Sequence, residues 1–179
     1  MPTDSIKKLE NVLRHIKLVQ DATQLLGKRL IESGEEEFGR ALIARGLMHD
    51  VSKLRGIEWK FLHSSEPATT DDDKKNLSLA IEQHHASNEH HIEFWGDPEF
   101  MPRLSVAEMI CDLYARAQEF GSDVKEYIFT DFFRHHKIGP NTKTAKRMKF
   151  FLDVLLNKPF KKVKVCDKQD DSREHKESK

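Results

Sequence analysis

The segment HHASNEHH, residues 84 to 91, packs four of the chain's ten histidines into eight positions. Imidazoles at that density either bind metal or form a polar surface, and residues elsewhere decide between the two. Those residues are His15, the adjacent pair His49 and Asp50, and Asp112. Imidazole nitrogen and carboxylate oxygen together suit divalent first-row ions such as manganese, iron, cobalt or zinc, and carboxylates also hold magnesium. If one helix runs through the histidine segment, His84, Asn88 and His91 fall at i, i+4 and i+7 on one face, and Trp95 at i+11 extends it. His84 and His91 then point inward as candidate ligands, with Asn88 able to hydrogen-bond between them, while His85 and His90 turn away. If the helix ends early, the His90-His91 pair can bend inward and His90 becomes a candidate as well.

These groups must be positioned by helices. Apolar residues recur at helical spacing almost throughout, and glycine and proline are sparse enough to act as punctuation. The spacing predicts an all-α chain. A first helix runs from about Ser5 to Ile31, its buried stripe built by Leu9, Val12, Leu13, Ile16, Val19, Leu26 and Leu30. A second opens at Ser33, spaced with Glu36 as a capping box, with Phe38, Leu42 and Leu47 inside and His49-Asp50 near its end. HSSEPATT, from His63, has the composition of a loop, and the acidic Asp71-Asp72-Asp73 that follows suits the positive end of the helix leading into the histidine segment. Ser105 and Glu108 form another capping-box pattern ahead of a helix that contains Asp112. Further helices are expected over residues 124–135 and 142–157. His15, His49-Asp50, the histidine segment and Asp112 thus belong to four helices, and a helical bundle can assemble a metal site from inward ligands of that kind.

At 179 residues the chain is long enough to bury a core without a stapling metal, so a metal here reads as functional. One helical domain spans residues 1–165, and a charged tail, poor in apolar residues, occupies 166–179. Thirty basic and thirty acidic residues cancel, which leaves no global field to recruit nucleic acid or an anionic membrane. No apolar run approaches the roughly 20 residues of a membrane span. Cys111 and Cys166 have no zinc spacing, and the polar N-terminus is unlike a secretory leader, so the expected setting is cytoplasmic.

His15, the contiguous His49-Asp50 and the later Asp112 resemble the H…HD…D signature of the HD-domain superfamily of metal-dependent phosphohydrolases. MHDVSK looks like the form of that motif with a lysine three residues after the aspartate. More closely, HDVSK followed by HHASNEHHIEFW and AEMICDLYA is similar to a small uncharacterised HD-like family of bacteria and phages, over roughly residues 10 to 155. The resemblance implies a helical fold with one or two metal ions that activate water against a phosphate ester. It makes His15, His49, Asp50 and Asp112 ligands of a first ion, and His84 with either His91 or His90 ligands of a second. Dinuclear members usually draw their two extra histidines from separate segments, whereas here one segment supplies both.

On that reading Lys53 offsets charge in the transition state, and Glu58 serves as a general base or as partner to a ligand imidazole. Arg14 and Arg116 are weaker candidates for the cation. Glu108 reads as a capping residue, and His135 and His136 as a basic helix terminus. The expected partner is a small phosphorylated substrate, a nucleotide or another metabolite, although no Gly-rich phosphate loop narrows it. Two other functions fit the same residues: a di-iron oxygenase on the HD fold, and a regulatory or binding module that has lost catalysis.

Overall fold

The structure, a computed structural model, describes residues 2–62 and 68–157, with side chains from residue 5. Every regular element among them is helical. In order they are α1 (Pro2–Glu32), α2 (Glu36–Met48), a 3₁₀ turn (Val51–Leu54), α3 (Gly56–Phe61), α4 (Asp71–Ser87) and α5 (Ile92–Trp95). A second 3₁₀ turn (Pro98–Phe100) leads to α6 (Arg103–Phe120). Then come α7 (Val124–Glu126), a π-helical segment (Tyr127–Phe132), α8 (Phe133–His135) and α9 (Lys143–Leu155). The charged tail at 166–179, with Cys166, and most of the loop at 63–70 lie outside the described residues. No described helix is long and apolar enough to cross a membrane.

Helix α6 is the centre of the bundle, packed by α1, α2 and α9. Val106, Ala107, Ile110, Cys111 and Ala115 are fully buried, as a helix apolar on most of its circumference requires. The stripe of α1 against it runs Val12, Ile16, Val19, Ala22, Leu26 and Leu30. Leu9 and Leu13 flank that stripe at 39% and 46% exposure instead of joining it, and Leu47 of α2, expected inside, is 54% exposed.

Three glycines set how close α1 and α2 come. A Cβ on Gly39 would sit 2.5 Å from the Gly27 carbonyl oxygen, and one on Gly46 would sit 1.9 Å from Thr23 Oγ1. The two backbones therefore cross almost in contact, and this brings the His15 and His49 rings to 5.8 Å between centroids. At the other end of α1, Arg29 donates to the Val154 and Leu155 carbonyls at 3.0 and 2.5 Å, capping the C-terminal end of α9.

Capping departs from the sequence expectation at two helices. Ser33 bonds back to the Leu30 carbonyl, and α2 starts after Glu35 without a side-chain cap. Helix α6 begins at Arg103, behind Pro102, so Ser105 and Glu108 already lie inside it and are buried. Proline supplies the non-helical backbone that the capping-box pattern was expected to supply. At α4 the acidic start does close a capping box: the Thr70 hydroxyl accepts from the Asp73 amide, and the Asp73 carboxylate accepts from the Thr70 amide.

Candidate metal centre

Helix α2 stops at Met48, where His49 takes an extended backbone and Asp50 the left-handed conformation, φ 55°. Asp is one of the few residues that visits this region readily. The turn drives both side chains inward, His49 to 2% and Asp50 to 1% exposure. Asp50 then serves two sides. Its Oδ2 lies 3.5 Å from His15 Nε2, 3.3 Å from His49 Nε2 and 2.5 Å from Lys53 Nζ. Its Oδ1 lies 3.4 Å from both His84 Nε2 and His90 Nε2. Asp112, on α6, completes the first side at 3.1 Å from His15 Nε2 and 4.0 Å from His49 Nε2.

The histidine segment is not one helix. Asn88 adopts φ −125°, ψ 109° and ends α4 after Ser87, so His90 is carried across to Asp50 while His91 stands one layer out, its Nε2 3.0 Å from His84 Nε2. Of the two alternatives left open by the spacing, the early helix end is the one realised. Asn88 meets the His84 side alone: its amide nitrogen lies 3.1 Å from His84 Nδ1 and donates to the His84 carbonyl and to Ser52 Oγ. His49, Asp50, His90 and His91 therefore come from the ends of helices and the turns beyond them, not from inward faces of a bundle.

Behind the rings stand three glutamates. Glu119 Oε2 lies 3.1 Å from His15 Nδ1, Glu108 Oε1 3.2 Å from His49 Nδ1, and Glu58 Oε2 2.9 Å from His84 Nδ1. Each carboxylate accepts from Nδ1–H, which leaves Nε2 facing the centre, the arrangement that orients ligand imidazoles and raises their basicity. Glu108 also lies 3.6 Å from His90 Nδ1 and is held by Arg45 at 2.7 Å. Glu58, supported by Ser52 at 2.8 Å, holds a ring from behind. Glu108 and Glu119 went unrecognised in the sequence. The signal was there: positions 108, 112 and 119 stand at i, i+4 and i+11, an acidic stripe on an otherwise apolar helix.

The electrostatics follow from this crowding. Burial disfavours the charged form of His49, but the Asp50 charge beside Nε2, with Glu108 accepting from Nδ1–H, outweighs it and pushes the pKa up to about 10. His15 is raised in the same way against its burial, through Asp112 and Asp50. Asp50 and Asp112 are held well below the usual carboxylate range, the facing imidazoles overcoming desolvation. His84 falls to about 4 and His91 to about 2, burial being the largest cause in both. The first side of Asp50 thus favours positive charge strongly, whereas His84 and His91 on the second are held towards the neutral form.

Five buried atoms at this centre have no hydrogen-bond partner among the described residues: His15 Nε2, His49 Nε2, Asp50 Oδ1, His90 Nε2 and Asp112 Oδ1. Ligands held about 2.0–2.2 Å from an ion stand roughly 3–3.5 Å apart, so most of the separations here fit a shared ion. Asp50, His84, His90 and His91 form one group able to hold an ion, and His15, His49 and Asp112 another. Through His84, His90, His91 and Asp112 both line a cavity of about 900 Å³, which Arg116, Tyr127, Phe132, Arg134 and His136 also line. Lys53 lines it too. Arg14 sits at a separate, smaller hollow beside His15. Neither tryptophan lines the cavity: Trp59 lies under Lys8, and the indole N–H of Trp95 donates to the Glu89 carbonyl. Cys111 is buried, its thiol pushed up by desolvation, and takes no part.

No curated protein and no solved structure matches the chain. Residues 4–154 match a family described as Family of unknown function (DUF5662), and the chain belongs to it.

Proposed function

We propose that this DUF5662 protein is a metal-dependent phosphohydrolase of the HD type, using one or two divalent ions around Asp50 against a phosphate ester of a nucleotide or another small phosphorylated metabolite. The observation that carries the reading is the set of five buried nitrogen and oxygen atoms of His15, His49, Asp50, His90 and Asp112 that converge at ion-pair distance without a hydrogen bond. Divalent ions would engage them together, and the nitrogen and oxygen donors suit manganese, iron, cobalt or zinc.

When bound, the ion supplies a Lewis acid and a water acidified towards neutrality. The chain's own residues supply the rest. Glu119, Glu108 and Glu58 fix the rings of His15, His49 and His84 so that Nε2 faces the centre. Lys53, buried and tied to Asp50, lines the same cavity, where its ammonium counters the charge of a phosphoryl group. The cavity is far larger than phosphate alone requires and lies within the range of small-molecule sites. Met109, Leu113, Tyr127 and Phe132 give it an apolar wall for the organic part of the substrate.

The imidazole-rich second side of Asp50 favours one further reading, a non-haem di-iron oxygenase on the same scaffold. The test is the metal content of the full chain, purified without a histidine tag or chelator, for wild type, His49→Ala and His84→Ala, followed by a screen of nucleotides and phosphorylated metabolites for phosphate release. Stoichiometric metal lost in His49→Ala, with phosphate released by wild type, is expected. Iron with oxygen consumption and no phosphate release would select the oxygenase. No uptake of manganese, iron, cobalt or zinc after reconstitution would refute both and leave a metal-independent binding module.

A further inference from the structure

The lysine and arginines that line the cavity differ in how far their charge is already neutralised. Lys53 Nζ stands 2.5 Å from Asp50 Oδ2, and Arg134 Nη2 stands 2.6 Å from Asp131 Oδ1. Arg116 is held more loosely. Among the described residues its nearest carboxylate oxygens are Glu119 Oε2 at 3.4 Å, long for a hydrogen bond, and Asp112 Oδ1 at 3.9 Å. Both oxygens also face His15, each 3.1 Å from one of its ring nitrogens. A guanidinium has five N–H donors, so most of the capacity of Arg116 is left for a ligand.

Its place on α6 fits that use. Arg116 follows Asp112 by one turn, which sets the two on one face of the helix. The charges of both reach Tyr127, which lines the cavity with them. The Arg116 side chain is 32% exposed against 14% for Asp112, so a solute in the cavity can reach the guanidinium while Asp112 stays turned to His15.

Resting on the reading of this cavity as a phosphate-ester site, we propose that Arg116 is its specificity-determining residue, gripping two terminal oxygens of a phosphomonoester and so selecting monoesters over diesters. A planar guanidinium fork matches two oxygens of one phosphate at once. A monoester has three terminal oxygens, so two meet the fork and one is left for the centre around Asp50. A diester has two, and the fork alone would take both. Above pH roughly 6 the monoester also carries a second negative charge, which a loosely paired cation favours.

The test compares wild type, Arg116→Gln and Arg116→Lys as full chains without a histidine tag, each metal-free and reconstituted with manganese. Metal content is measured, and two probes that mimic the monoester and the diester, phenylphosphonate and its monomethyl ester, are titrated by calorimetry in alkaline buffer, where phenylphosphonate is a dianion. Wild type should bind phenylphosphonate roughly tenfold or more tightly than the ester, the size expected for hydrogen bonds to a charged group. Arg116→Gln should remove most of that preference in both forms at unchanged manganese content. Arg116→Lys, which keeps the charge but not the fork, should restore only part of it. A wild type without the preference, a preference kept by Arg116→Gln, or one fully restored by Arg116→Lys would overturn the assignment even with manganese bound. If wild type takes up no manganese, the Asp50 centre fails by itself, and the metal-free titrations still decide on Arg116.

Discussion

Replacing Glu108 by glutamine tests whether the carboxylates behind the rings tune a metal centre or merely fill space. The substitution keeps the volume and one acceptor but removes the charge that sits 3.2 Å from His49 Nδ1, 3.6 Å from His90 Nδ1 and 2.7 Å from Arg45. Loss of such a partner typically weakens metal binding 10–100-fold, or about 1.4–2.7 kcal/mol. Two effects oppose each other at neutral pH. The ring becomes a poorer ligand, yet its proton is also easier to displace, since Glu108 is among the groups that raise His49 to about 10. The proton's share shrinks as pH rises, so the deficit should widen from about pH 7 to about pH 9. Competition against a chromophoric chelator across that range reads both quantities. Affinity within about twofold of wild type throughout, against the expected 10–100-fold, would refute the assignment of Glu108 as a tuning group.

Other consequences are open to direct measurement. In the metal-free protein, the contribution of His49 to stability is fully present below its ordinary value of 6.5 and is lost as pH rises through about 10; Asp50 acts oppositely, its contribution lost as pH falls below 3.8. Thermal melts in chelator should therefore decline on the alkaline side, and His49→Gln should flatten that decline; an unchanged slope would contradict it. Asp50→Asn leaves the Lys53 ammonium buried without its anion. It should cost the metal-free chain about 3–5 kcal/mol in urea unfolding, and a loss below about 1 kcal/mol would count against that pairing. Gly46→Ala forces a methyl onto Thr23. Overpacking of this kind costs roughly 1–3 kcal/mol and should loosen metal binding by shifting His15 against His49; a variant with wild-type urea midpoint and affinity would show that the helix crossing has slack.

Helical periodicity carried most of the fold, because α1 and α6 bury long stripes that a 3.6-residue repeat makes visible. It failed where a helix end decides the outcome. His84 and His91 share a face only if α4 continues through Asn88, and the extended backbone at Asn88 hands Asp50 to His90 instead. Ser105-x-x-Glu108 has the spacing of a capping box, yet Pro102 starts the helix three residues earlier and converts Glu108 into a buried partner of His49. Lys53 is legible through the HD-like motif, three residues after Asp50, and Glu58 as an acid that needs only to reach a ligand imidazole, whereas Glu93 and His136 meet only through tertiary packing that no local pattern encodes.

The π-helical segment at residues 127–132 has a consequence for how this cavity can change. A π turn closes its hydrogen bonds one residue further along than an α turn, so it holds a surplus residue and shifts the phase of everything after it. Each residue of an α-helix is worth about 100° of rotation. The same residues held in regular α geometry would swing Arg134 and His136 by about that angle, off the cavity lining they now share, whereas deleting one residue together with the π turn would leave them in place. The closure of this turn, π in place of α, therefore acts as the dial that sets which groups line the cavity.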